Sequence, residues 1–188
     1  MLVAASAAFV TMFVAEMGDK SQLISLTMAS CYPPLQVLAG AMVALAAVLG
    51  LAVVVGDYIV SVVPHTLIVM IAGLVFIVMG LYNYRSDDER PAECRGREGF
   101  FQTMVMVFAA EFGDKTQLAA VFLVAGFGYP LAVFGGAMAA MFLNHLLAVF
   151  VGSRFLAKIN PRYIRFVSST LFIIIGLTII IAEIFPSS

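Results

Sequence analysis

Carboxylates, ammonium groups and hydroxyls occur together at two places in this chain. Phe13–Leu23 runs Phe-Val-Ala-Glu-Met-Gly-Asp-Lys-Ser-Gln-Leu, and Phe108–Leu118 runs Phe-Ala-Ala-Glu-Phe-Gly-Asp-Lys-Thr-Gln-Leu. Each copy offers two acids (Glu16 and Asp19; Glu111 and Asp114), a lysine (Lys20; Lys115), a hydroxyl (Ser21; Thr116) and an amide (Gln22; Gln117). Residues three and four apart share a helix face. Glu16, Asp19 and Gln22 are therefore predicted to form one stripe, and Glu111, Asp114 and Gln117 another. Their oxygens, with those of Ser21 and Thr116, are hard donors that suit Mg²⁺, Ca²⁺ or Mn²⁺ and not ions that want thiolate. Four carboxylates against two lysines leave two negative charges, the complement of one dication. These acids, amides and hydroxyls are the candidate metal ligands.

Each lysine has two readings: an accessory or gating charge that pairs with an acid when the cation is absent, or half of a structural ion pair within its own copy. Gly18 and Gly113 lower helix propensity between the acids. They either let the helix unwind, so that backbone carbonyls join the site, or let helices pack closely.

Such groups must be held by elements that suit their surroundings. Of 188 residues 63% are hydrophobic and 11% charged, where a soluble domain carries about 25% charged residues. Apolar stretches near the length that crosses a bilayer, about 20 residues, recur at 2–28, 35–57, 65–84, 100–125, 131–153 and 162–185. They are apolar on every side and do not alternate as the strands of a barrel would. The expectation is an all-α integral membrane protein with six transmembrane helices, whose backbone polar groups are satisfied within each helix. Both motifs then fall halfway along a span. A charge there costs about 2.5–3.5 kcal/mol, so packing alone would not select six of them. The opening segment has no basic region before its apolar run and is expected to remain as a span, not to be cleaved as a signal peptide.

The likeness of the two stretches extends beyond the motif. Pro34-Leu35 matches Pro130-Leu131, Gly40-Ala41-Met42 matches Gly136-Ala137-Met138, Gly56 matches Gly152 and Pro64 matches Pro161. The chain is thus predicted to be a three-helix repeat over 1–84, a cytoplasmic linker over 85–99 and a second three-helix repeat over 100–188. Three is odd, so the second repeat enters the membrane from the opposite face. Such inverted repeats place a binding site near the midplane where the halves meet. Outside the motifs the basic residues are Arg85, Arg90, Arg95 and Arg97 in the third loop, with Arg154, Lys158, Arg162 and Arg165 around the fifth. The positive-inside rule puts both loops in the cytoplasm and both termini outside.

The duplicated Glu-x-Gly-Asp-Lys-[Ser/Thr] in a six-crossing chain resembles the GDT family of manganese and calcium transporters, and in size its bacterial manganese exporters. The resemblance covers essentially the whole chain. Both copies match at every acidic, glycine and lysine position. It implies an exchanger in the inner membrane of a bacterium that expels Mn²⁺, or alternatively Ca²⁺, against protons. Glu16, Asp19, Lys20 and Ser21, with Glu111, Asp114, Lys115 and Thr116, would be its working residues. Proton exchange also has a rationale in the residues themselves: acids crowded in a medium of low dielectric hold protons until a dication displaces them. Sodium coupling stays open as an alternative. No resident cofactor is expected, and two fused repeats make a complete site in a monomer, although a homodimer stays open.

Other residues have weaker readings. Asn144 and His145, in an otherwise apolar segment, suit either an interhelical hydrogen bond or a proton relay or auxiliary ligand. Asp57 and Glu183 fit interfacial carboxylates, and Met17 lies beside a predicted ligand. Asp87, Asp88 and Glu89 fit a solvated linker better than a regulatory metal site. Cys31 and Cys94 lie in different loops and make no case for a disulfide or a zinc site. A net charge of −1 and the lack of a basic-aromatic surface exclude nucleic acid as a partner. Two rival functions are an intramembrane aspartyl protease built on Asp19 and Asp114, and an amino-acid or anion exporter using the lysines.

Overall fold

The computed structural model describes residues 1–85, 98–151 and 161–184. Among these there is no strand, and the helices in order are α1 (Leu2–Glu16), α2 (Lys20–Ala29), α3 (Pro34–Val62), α4 (His65–Arg85), α5 (Gly99–Glu111), α6 (Lys115–Phe127), α7 (Pro130–Phe150) and α8 (Pro161–Ile184). The all-α expectation holds. The continuous helices predicted over 2–28 and 100–125 do not: each is broken at the motif. α1 and α2 meet at 68°, and α5 and α6 part at residues 112–114. α3 runs on to Val62, past the predicted end at 57, so Asp57 lies inside it with its side chain exposed.

By length and composition, Pro34–Ile59 and Pro130–Phe150 can each cross a bilayer alone, and the bent pair α1–α2 can cross as a third span. Both single spans start with proline at the first turn, where its missing N–H costs nothing. α4 and α8 are 21 and 24 residues long.

The helices pack chiefly on the other half of the chain. α4 lies on α8, α1 on α7 and α5 on α3, while α3 also meets α7. Exchanging the halves maps each of these pairs onto another or onto itself, which is the reciprocity of a two-fold contact. Two glycines make the close approach possible. A Cβ on Gly40 would overlap the Phe100 carbonyl of α5, and one on Gly136 would overlap the Ala5 carbonyl of α1. Around them the buried faces are lined with alanines such as Ala4, Ala8, Ala41, Ala44, Ala137 and Ala140, the small residues through which membrane helices associate.

The distribution of polarity is inside out. Leu2, Leu35, Val54, Leu74, Val105 and Leu131 are exposed, while Glu16, Gln22, Glu111, Asn144 and His145 are buried. One expectation is corrected here: Cys31, in the turn between α2 and α3, is disulfide-bonded. Loop spacing carries no information on which cysteines approach in space, so the sequence could not reveal it. Cys94, Gly152, the acids Asp87, Asp88 and Glu89, and the basic residues Arg90, Arg95, Arg97, Arg154 and Lys158 lie outside the described residues.

Candidate functional site

The break in each motif is built from its own sequence. Gly18 adopts φ 75° and Gly113 φ 82°, left-handed values that glycine takes without penalty and that end a helix. A Cβ on Gly113 would meet nothing within 4 Å. Of the two readings of this glycine, unwinding is therefore the observed one, and close packing is not its role. The next residue, Asp19 or Asp114, is the N-cap of the following helix, a position that suits aspartate. Yet neither carboxylate makes a capping bond. The glutamine three residues on does the capping instead: Gln22 Oε1 accepts from the Gly18 N–H, and Gln117 Oε1 accepts from the Gly113 N–H at 2.7 Å. This resembles a capping box shifted by one residue. Neither aspartate is then used as a cap.

The freed acids converge across the halves. Glu16, Asp19 and Glu111 each present a carboxylate oxygen, and these oxygens lie within 4.8 Å of one another. Two oxygens bound on opposite sides of a hard cation at about 2.3–2.6 Å stand about 4.6–5.2 Å apart, so one ion can span the group. Both glutamates are only 1% exposed. Glu16 accepts from Ser21 Oγ at 3.4 Å and from the Thr116 hydroxyl of the opposite half. Both oxygens of Glu111 are buried without a hydrogen bond among the described residues. Lys115 Nζ lies 2.8 Å from Asp19 Oδ2, so this lysine pairs with the other half, and the reading that confines it to its own copy is wrong. The three grouped carboxylates and Lys115, all ionised, sum to two negative charges.

The remaining candidates fall differently. Asp114 is half-buried and stands outside the three-carboxylate group. Gln22 and Gln117 hold protein with both ends of the amide: Gln22 Nε2 donates to Asn144 O at 3.0 Å and Gln117 Nε2 to Val48 O at 3.4 Å. They brace the breaks, each amide oxygen accepting one glycine N–H. A continuous helical stripe hid this role; the stop signal of glycine followed by an N-capping aspartate could have disclosed it. Asn144 donates to Phe13 O at 2.9 Å, and His145 Nδ1 shares a hydrogen bond with Ser25 Oγ at 2.8 Å, which satisfies the interhelical reading of this pair. Met17 forms the first residue of the first break.

The profile of the family described as "Divalent cation/proton antiporter GDT1" matches residues 4–91 and 99–186. A Vibrio cholerae serotype O1 protein named "Putative manganese exporter" is 33% identical over 178 residues, covering 89% of this chain and 85% of its own length. An Arabidopsis thaliana protein named "Protein PAM71-homolog, chloroplastic" is 30% identical over 207 residues, covering 90% of this chain and 56% of its own length. No solved structure matches.

Proposed function

This chain belongs to the GDT1 family of divalent cation/proton antiporters, and from that premise we propose that it exports Mn²⁺ across a bacterial inner membrane in exchange for protons. One observation carries the reading: Glu16, Asp19 and Glu111 from two halves of the chain meet within 4.8 Å. These three carboxylates are the proposed ligands, with the hydroxyls of Ser21 and Thr116 beside them and Asp114 joining as the halves move. Gln22 and Gln117 serve as braces. The manganese exporter's name of the Vibrio relative favours Mn²⁺, and the hard oxygen set accepts Ca²⁺ as a second cargo.

The mechanism follows from charge. With no dication, carboxylates facing one another in low dielectric are neutralised by Lys115 on Asp19 and by protons. An arriving M²⁺ supplies the two positive charges and expels those protons. Lys115 gives up Asp19 as the ion binds and takes it back on release, so the empty site is never left as a bare anionic pocket. In this scheme the six spans form inverted halves that rock about the site, with the basic loops in the cytoplasm, both termini outside and a monomer as the working unit. An anion exporter would need the lysine free, but Lys115 is paired with Asp19. An aspartyl dyad would need Asp19 and Asp114 to share a proton with no ammonium between them.

Reconstituted protein offered Mn²⁺, Ca²⁺, Mg²⁺ and Zn²⁺ side by side tests this. Mn²⁺ should enter vesicles with counter-movement of protons reported by a trapped pH dye, and lower pH should weaken uptake because protons compete for the same oxygens. Uptake without a dye response removes proton coupling, and Zn²⁺ preference removes the hard-cation site.

A further inference from the structure

The two helix breaks share the glutamine bond to their glycine and differ in what the opposite half offers them. Aligning Pro34 with Pro130 and Gly40 with Gly136 sets Val48 against Asn144 and Leu49 against His145. The backbone obeys that match: Gln22 donates to the carbonyl of Asn144 and Gln117 to that of Val48. The side chains depart from it. Asn144 Nδ2 reaches from α7 to Phe13 O, in the last turn of α1, at 2.9 Å. The counterpart carbonyl, Phe108 O, is taken by the N–H of Phe112, the C-cap of α5, at 2.9 Å, and the counterpart side chain, that of Val48, has nothing to donate. Further along α2, Ser25 and His145 share their bond where the other half has Ala120 and Leu49. Asn144 and His145 are 1% exposed and Ser25 fully buried.

Packing does not account for Asn144. Val48 fills the equivalent place with no polar group, and a buried amide costs free energy unless all its atoms are satisfied. Asn144 Oδ1 has no partner among the described residues, so that cost is only partly offset. What the amide does achieve is local. Phe13 lies one turn before Glu16, so a tether on its carbonyl fixes the turn that carries the glutamate. Glu16 is then held at both ends, by Asn144 through the backbone and by Ser21 and Thr116 at its carboxylate. At Glu111 the corresponding turn has no such tether from the opposite half among the described residues, its Phe108 carbonyl being bonded within its own segment.

We infer that Asn144 is a positioning residue of the cation site: by tethering the last turn of α1 to α7 it preorganises Glu16, and so makes the first half-site the fixed one and the second the adjustable one. This rests on the carboxylate cluster being the cation site.

The test is Mn²⁺ transport in proteoliposomes, normalised to the amount of folded, monodisperse protein inserted. Asn144→Val, which gives α7 the residue α3 has, should raise the half-saturating Mn²⁺ concentration about tenfold, equivalent to about 1.4 kcal/mol, and leave the maximal rate within about twofold. Asn144→Ser, a shorter donor, should fall between, and it stands in if the valine variant is not recovered. A purely structural asparagine would lower the yield of folded protein and the maximal rate without moving half-saturation. An unchanged half-saturation in the asparagine variants overturns the inference. Glu16→Gln, run alongside, separates the two claims: it should abolish transport, and if it transports like the wild type the cation-site reading itself fails.

Discussion

At the scale of single residues, neighbouring side chains take over jobs that would otherwise occupy the acids. Gln22 and Gln117 cap the breaks, which frees Asp19 and Asp114 from capping. Lys115 covers Asp19 from the other half. Replacing Lys115 by methionine leaves the cluster one positive charge short, so Mn²⁺ should bind more tightly while turnover falls; binding titrations paired with transport rates check this, and weaker binding would contradict it. Gly113 needs its left-handed backbone and nothing else, since an added methyl has open space. Gly113→Ala should therefore cost about 1–2 kcal/mol of stability in thermal unfolding, without the loss of assembly expected of a steric clash. The residue types of the cluster were legible in the sequence. The partner of each lysine was not, because which half an ammonium reaches depends on how α1 and α5 cross between α7 and α3.

At the scale of the element, the two broken helices decide what can bind. A break exposes backbone polar groups in a medium without water, and each must be satisfied within the protein. Gln22→Leu and Gln117→Leu each leave a glycine N–H without its acceptor, at about 1–3 kcal/mol. The Gln22 variant should lose more, because its second bond, to Asn144 O, is 3.0 Å and that of Gln117 to Val48 O is 3.4 Å. Unfolding of the purified variants in detergent measures both, and the reverse order would contradict the bracing role. Helical segments at 35–57, 65–84, 131–153 and 162–185 could be read from apolar length alone, and α3, α4, α7 and α8 occupy them. The breaks were harder to read. An unbroken apolar run looks the same to a length criterion whether or not one Gly-Asp pair interrupts it, and the spacing that predicted a common face for Glu16, Asp19 and Gln22 assumed an unbroken helix. Three of the four acids still converge, because the cluster is assembled between halves, with Glu16 and Asp19 on one side and Glu111 on the other, while Asp114 stands outside it.

At the scale of the molecule, the repeat was visible in the sequence and its interlocking was not: helices of each half pack on those of the other, and the glycines at 40 and 136 let their backbones touch. Gly40→Ala and Gly136→Ala should both damage folding through the same overlap, seen as loss of monodisperse protein. The proposed orientation predicts that, in a chain freed of its own cysteines, a cysteine at Ser30 is labelled from the cytoplasm and one at Ser61 only from outside. The disulfide at Cys31 sharpens that experiment, since such bonds are rare in the cytoplasm. The central claim is that one cation is held jointly by both halves. Its most direct test is electron paramagnetic resonance titration of Mn²⁺ into the purified protein, compared with Glu16→Gln, Asp19→Asn and Glu111→Gln. One bound Mn²⁺ per chain, lost in each of the three variants, is the predicted result. Two ions per chain, each lost only when its own half is altered, or one ion indifferent to Glu111, would contradict it.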